Sequence, residues 1–345
     1  MVGNIVKQEN ATVSLAKFVP LAILNVKNLL KQRKHKMKIV GIGNAIVDVI
    51  CKVDDNFLKV NKLTKGTMKL VDENEFKKLL SILKIQRTIS GGSIANSIVG
   101  LSQLGDKVGF IGKIDDDSLG KKFEEGLKKE KVEYFYKKKK ESMPTGSCLI
   151  LVTPDSERTM CTFLGIAGKI NKNDININFI KKGEITFLEG YLWDYGDAKE
   201  AFEKAIESSN KVAMSLSDKF CVDRHKSEFL NLVKNKLDIV FANEQEILSL
   251  IDTKSFNDVI SFGKNLKKLL VITKGEKGSI AIDRDNIIEC YAEKNLKIKD
   301  LTGAGDLFAA GFLHGYINNF SIKDSLSKGT EMSSKVIQQF GARLS

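Results

Sequence analysis

The chain has 345 residues, 42% of them hydrophobic and 28% charged, which is enough for one large domain or two ordinary ones and too apolar for wholesale disorder. The formal net charge of +12 raises nucleic-acid binding, but residues 1–36 hold seven basic side chains and one acid, so about half the excess sits in a tenth of the chain. The rest interleaves Lys with Asp and Glu as a solvated surface does, and points away from a nucleic-acid partner.

The first 36 residues are basic and acid-poor, with an apolar patch from Phe18 to Leu24 interrupted by Pro20. The patch is too short to cross a membrane. Residues 1–36 are read as an N-terminal extension, with translation beginning at Met37, or a transit peptide as the alternative. The five cysteines form no CxxC and the three histidines are scattered, so neither a zinc site nor a disulfide framework is expected, and a cytoplasmic setting suits them.

From Lys38 onward, short apolar runs predict strands at 39–42, 108–111, 185–188, 212–216, 239–242 and 270–273. Amphipathic stretches between them predict helices at 73–83, 93–104, 118–129, 199–208 and 244–250. This alternation predicts an α/β fold in three layers, with a mainly parallel central sheet. Segments 53–71 and 133–163 break the rhythm and read as short strands; PDSE at 154–157 turns a hairpin between 145–153 and 158–163. A small β-rich piece of this kind suits a lid over a cleft.

Five stretches carry polar chemistry. In GIGNAIVD, Asn44 and Asp48 stand at or within an apolar strand; a polyhydroxylated ligand or a structural salt bridge would satisfy them. The two glycines there lack the third glycine and the helical turn of a dinucleotide fingerprint. In SGGSIANS, Gly91 and Gly92 precede a helix carrying Asn96, as a hinge or a point of close ligand approach. In FANEQEIL, Asn243 and Glu246 have spacing that suits either a capping box or a solvated Mg²⁺. VITKGEKGS turns a strand at Gly275 and Gly278, beside Thr273 and Lys274, at a nucleotide cleft or as a plain hairpin. In DLTGAGDLFAAGF, a strand ending near Ile298 leads to the bare loop Gly303, Ala304 and Gly305, and Asp306 opens a helix over 307–316. Unpaired amides at a helix start attract anions. Asp306 is then either an N-cap or a general base.

Taken together, GGSIANS with LGDKVGFIGKIDDDSLGKKF and DLTGAGD resemble the PfkB (ribokinase-like) carbohydrate kinase family from Met37 to about Arg343. GNAIVD, GGSIANSI and PTGSCLILVTPDSERT are similar to adenosine kinase-type members. The resemblance implies ATP and Mg²⁺, with Asp306 as base and the amides at 303–305 as an anion hole. It implies that Asn44, Asp48, Gly91, Gly92 and Asn96 hold ribose hydroxyls, and that Asn243 and Glu246 hold Mg²⁺ through water. Thr273, Lys274, Gly275 and Gly278, with a C-terminal helix around 333–337, would flank the ATP base, and Arg158 would reach the transferring phosphate. Asp300 would face a monovalent cation such as K⁺, although Leu301 stands where the family has Thr and offers no hydroxyl.

The activity so implied is transfer of the γ-phosphoryl of ATP to the 5′-hydroxyl of adenosine or a related nucleoside. The alternative is a sugar kinase acting on ribose, fructose or a sugar acid. An apolar pocket walled by Tyr191, Leu192, Phe163 and Ile46 would mark the nucleoside; a basic cluster at the mouth would mark a sugar phosphate. A regulator that kept the fold without the chemistry is a third reading, and RNA binding through YFYKKKK (134–140) a fourth. The partner expected is a small nucleoside or sugar, with no membrane or nucleic acid, and the protein a monomer or a lid-mediated homodimer.

Overall fold

The computed structural model describes residues 37–136, 140–155, 157–194 and 197–344. The N-terminal extension and Lys137–Lys139 of the basic lid stretch lie outside the described residues.

Among the described residues, nine strands form one large sheet. From one edge they are Asn286–Cys290, Ser279–Asp283, Leu269–Thr273, Ile239–Asn243, Val212–Ser215, Ile185–Glu189, Ile39–Ile42, Val108–Ile111 and Glu133–Tyr134. All neighbours run parallel except the two hairpin pairings at the Asn286–Cys290 edge. Strand side chains alternate between faces, and both faces are buried. Val40, Leu188, Met214 and Val240 join one apolar cluster, while Ile39, Phe187, Ala213 and Phe241 join the other. The result is the expected three-layer α/β/α, ribokinase-like architecture.

A second, five-stranded mixed sheet runs in the order Met68–Leu70, Arg158–Phe163, Gly146–Val152, Ile46–Lys52, Ile85–Ser90. The PDSE hairpin is its centre, with Ser147 paired to Phe163 and Val152 to Arg158. The same alternation splits its faces. Val49, Cys51, Leu149, Leu151, Cys161 and Phe163 pack with Leu58, Phe76 and Leu79 into a small core of their own. The residues between them on each strand face the cleft.

Three expectations change. The segment 53–71 holds one strand, Met68–Leu70, and a helix, Asp55–Val60, because the Asp54 carboxyl caps the amide of Phe57 at 2.7 Å. The chain turns from the large sheet to the small one within residues 43–45, so Asn44 lies in the link and Asp48 in a strand of the small sheet. No strand reaches Ile298, which is exposed, and the last site helix begins early, spanning Ala304–Ile317. That helix is apolar nearly all round, as one sunk in the core must be: Leu307, Phe308, Ala310, Phe312 and Leu313 are all buried. It packs on the helices Ser93–Gln103 and Ile322–Val336.

Candidate active site

A cavity of ≈ 460 Å³ lies between the two sheets and the start of the helix Ala304–Ile317. Asn44, Asp48, Gly92, Asn96, Asn243 and Glu246 line it, as do Thr273 and the run from Leu301 to Asp306.

Gly303 opens the loop expected to form an anion hole. It is the N-cap, in the left-handed region at φ 80°, and a Cβ there would stand 2.6 Å from the Ala342 backbone. Ala304, Gly305 and Asp306 are the first three helical residues, so their amides have no intrahelical acceptor; Ala304 N donates to the Leu301 carbonyl at 3.2 Å, and no backbone acceptor meets the amides of Gly305 and Asp306 among the described residues. A Cβ at Gly305 would meet nothing within 4 Å, which leaves the cradle open above its backbone.

Asp306 is therefore not the N-cap. Its half-buried carboxyl accepts from Ser93 Oγ at 2.7 Å and from Asn96 Nδ2 at 2.9 Å. Loss of water pushes its pKa up to about 6, against the two hydrogen bonds, which lower it. Ser97 Oγ donates to the Asp306 carbonyl at 2.9 Å, a third tie between the two helices. A carboxyl raised to about 6 at an open helix start is suited to accept a proton near neutral pH.

The Gly-Gly pair makes room. Gly92 sits at φ 91°, where a Cβ would fall 2.3 Å from the Asn44 carbonyl. A Cβ on Gly91 would enter the Asp48 carboxyl at 2.5 Å. Desolvation raises Asp48 to about 7, opposed by the charges of Arg343 and Arg158. Asn44 is buried and donates to Glu189 at 2.8 Å, while its Oδ1 has no partner among the described residues. A buried amide oxygen left free at a cavity wall suits a ligand hydroxyl. Glu189 and Ser93 belong to the site but were not singled out from the sequence. Glu189 ends an apolar strand, the same signal that marked Asn44 and Asp48. It also accepts from the Ile94 amide at 3.1 Å, and burial holds it near 7.

Asn243 and Glu246 form the capping box, with Glu246 N donating to Asn243 Oδ1 and Asn243 N to Glu246 Oε2, both at 2.9 Å. The capping and metal readings coexist here. Glu246 is buried against the cavity with its pKa pushed up to about 7 by desolvation, so a nearby divalent cation would offset a costly charge. Asn243 Nδ2 also donates to Glu246 Oε1 at 2.6 Å, so each oxygen of the pair already accepts one hydrogen bond within the cap, and a hydrated Mg²⁺ would use their remaining lone pairs. Of the four ATP-base candidates only Thr273 lines the cavity. Lys274 Nζ lies 4.0 Å over the Phe256 ring, and Gly275 and Gly278 shape the turn behind it. The C-terminal helix ends at Val336.

Asp300 and Arg158 are brought together instead of facing separate ligands. Arg158 Nη2 donates to Asp300 Oδ2 at 2.7 Å, with both side chains nearly buried. Asp300 also accepts from Thr302 N, Thr302 Oγ1 and Gly341 N, at 3.0, 2.7 and 2.7 Å. A carboxylate so fully supplied with donors, one of them a guanidinium, does not fit a monovalent-cation site. Arg158 does not line the cavity, and its Nε and Nη1 have no hydrogen-bond partner among the described residues.

The walls are apolar where the small sheet faces inward: Ile46, Ile150, Met160, Met68 and Leu70. Tyr191 also lines the cavity, whereas Leu192 and Phe163 are buried in separate cores. No Lys or Arg is among the described lining residues, which include Asp48, Glu189, Asp194, Glu246 and Asp306.

A three-layer α/β body, a small sheet over its cleft and a helix-start anion cradle beside a carboxyl together define a phosphotransferase of the sugar-kinase class. The chain belongs to the pfkB family of carbohydrate kinases, whose model matches residues 37–345. It is 28% identical over 331 residues to a 5-dehydro-2-deoxygluconokinase from Clostridium botulinum, covering 89% of this chain and 88% of that one. Among solved structures it resembles an adenosine kinase from Sinorhizobium meliloti at 37% identity, with TM-score 0.84 over 90% of this chain and 96% of that one. It likewise resembles a probable sugar kinase from Rhizobium etli at 36% identity, with TM-score 0.83 over 89% and 95%. The curated relatives favour the sugar-acid alternative over the adenosine expectation.

Proposed function

We propose that the chain transfers the γ-phosphoryl group of ATP to a primary hydroxyl of a small sugar-type acceptor. The observation that carries this is the Asp306 carboxyl, held by Ser93 and Asn96 at the open start of the helix Ala304–Ile317. Asp306 takes the proton of the acceptor hydroxyl as its oxygen bonds to the γ-phosphorus and the bond to the bridging oxygen of ADP breaks. The amides at Ala304 and Gly305 offset charge on the transferring group, the usual dominant effect in such reactions. Asn243 and Glu246 would hold Mg²⁺ through water; when bound, the ion offsets phosphate charge. Asn44, Asp48 and Asn96 hold the hydroxyls of the acceptor, and the small sheet covers it and limits attack by water.

The first reading of the acceptor is a sugar acid, supported by the activity in the curated relatives' names. A nucleoside is the second reading, favoured by one feature: the inward face of the small sheet is apolar, and among the described residues no basic side chain lines the cavity to meet a carboxylate. The test is ADP release from Mg-ATP with 5-dehydro-2-deoxygluconate, ribose, fructose and adenosine, with product phosphorylation followed in parallel. Preferred turnover of the sugar acid supports the first reading, and preferred turnover of adenosine replaces it with the second. ADP release that no acceptor stimulates, with no phosphorylated product, overturns the proposal.

A further inference from the structure

The C-terminal turn enters the site, although nothing in its composition marks it as catalytic. Residues 341–344 are wedged between the anion-hole loop and the helix Ser93–Gln103: Gly341 N donates to Asp300, Ala342 packs on Gly303, and the Leu344 carbonyl accepts from Gln103. Arg343 lies within this wedge. Its Nε donates to Asn96 Oδ1 at 2.9 Å and its Nη2 to the Gly91 carbonyl at 3.3 Å.

We infer that Arg343 is a positioning residue for the reaction: its guanidinium orients the Asn96 amide so that Nδ2, and not Oδ1, faces the Asp306 carboxyl. This rests on the reading of Asp306 as base. The chemistry follows from donor and acceptor capacity. A guanidinium can only donate, so the Asn96 atom facing Arg343 must be the oxygen. The NH₂ group is thereby committed to Asp306 Oδ2, 2.9 Å away. An Asn amide without such a partner can turn over. Its oxygen would then repel an ionised Asp306 and accept a hydrogen bond from a protonated one. Arg343 therefore favours the proton-accepting form of Asp306 through Asn96, and its own positive charge acts in the same direction. The Gly91 contact ties the same guanidinium to the loop that makes room for Asp48.

Other groups face this cluster. Ser93 and Asn96 come from the helix Ser93–Gln103, Asp48 from the small sheet, Glu189 from the end of its strand, and Arg343 from the C-terminal turn. Asp48 and Glu189 lie close enough to feel the Asp306 charge, which raises both; on Asp306 itself the Arg343 charge acts in the opposite sense and lowers its pKa.

The experiment is the pH profile of kcat/KM between pH 5 and 9 for the full chain, Arg343→Gln, Arg343→Lys and Asn96→Ala, with Asp306→Asn as the control. Thermal melts establish which variants fold. In Arg343→Gln the acid limb is expected to rise by about one pH unit, at the low end of what a nearby opposite charge does to a carboxyl. Its kcat falls by up to about 10²-fold, the scale of a small misplacement at a reacting centre. Lys restores part of both, because it keeps the charge and one donor but not the fork. In an Asn96→Ala background, Arg343→Lys adds little, because the two residues act in series.

A wild-type acid limb and kcat in folded Arg343→Gln overturn the inference, as do fully additive losses in the double variant. If Arg343→Gln does not fold, an unmoved acid limb in folded Asn96→Ala overturns it equally, because the effect is argued to pass through Asn96. An active Asp306→Asn would sink the base reading itself, whereas a silent Asp306→Asn beside a normal Arg343→Gln sinks only the role of Arg343.

Discussion

Arg158 and Asp300 offer the sharpest physical prediction. They join the small sheet to the anion-hole loop through one nearly buried ion pair, with side chains 8% and 3% exposed. Arg158→Met removes the cation and leaves the Asp300 carboxylate buried. Breaking a buried pair from one side costs about 3–5 kcal/mol. Thr302 and Gly341 still donate to Asp300, which places the loss at the low end, about 3 kcal/mol. For a body of this size that corresponds to a fall in Tm of about 6 °C.

The assay is thermal melting and ATP turnover in KCl against choline chloride. The wild-type protein should show the same Tm and kcat in both salts, since a guanidinium already occupies the carboxylate. In Arg158→Met, K⁺ should restore most of the lost stability, about 2.7 kcal/mol at a hundredfold excess over its Kd. Replacing both partners, as Arg158→Met with Asp300→Leu, should recover much of the single-variant loss, because no charge is left buried. Potassium-dependent turnover in the wild type, or a wild-type Tm raised by K⁺ as much as that of the variant, would refute this reasoning.

Two further outcomes are expected. Gly305→Ala should melt within about 1 °C of the wild type, because the new methyl meets no protein atom; it should raise KM for ATP, because the methyl stands over the phosphate cradle, and an unchanged KM would count against the cradle. Burial also holds Asp48, Glu189 and Glu246 near 7 and Asp306 near 6, above the values of an unfolded chain. The folded state keeps protons there that the unfolded chain has lost, so this contribution is fully present below about pH 4 and is lost as pH rises through about 7. Tm should therefore fall from pH 5.5 to pH 8, with a shallower slope in Glu189→Gln; a Tm that rises over that range contradicts the assignment.

The large sheet was legible because its central strands are buried on both faces and read as short apolar runs, such as IVGI and VAMS. The small sheet was only half legible. Its hairpin alternates clearly, but Ile46–Lys52 follows Ile39–Ile42 after three residues and looks like one strand. The helix Asp55–Val60 was missed although Asp54 caps it; only Leu58 of its six residues is buried, so its apolar periodicity is weak. The bare turn and helix start at TGAGD were legible because Gly-rich backbone is a local property. Glu189, Arg343 and the Arg158–Asp300 pair were not legible as partners, because each acts across more than 90 positions and the fold alone brings the partners together.

The central claim is that Asp306 takes the proton during phosphoryl transfer. The most direct test is kcat of Asp306→Asn on the acceptor the wild type prefers, with a thermal melt to establish folding. The account predicts a loss of about 10²–10⁴-fold with the melt preserved. A folded Asp306→Asn that turns over within about twofold of the wild type would contradict it.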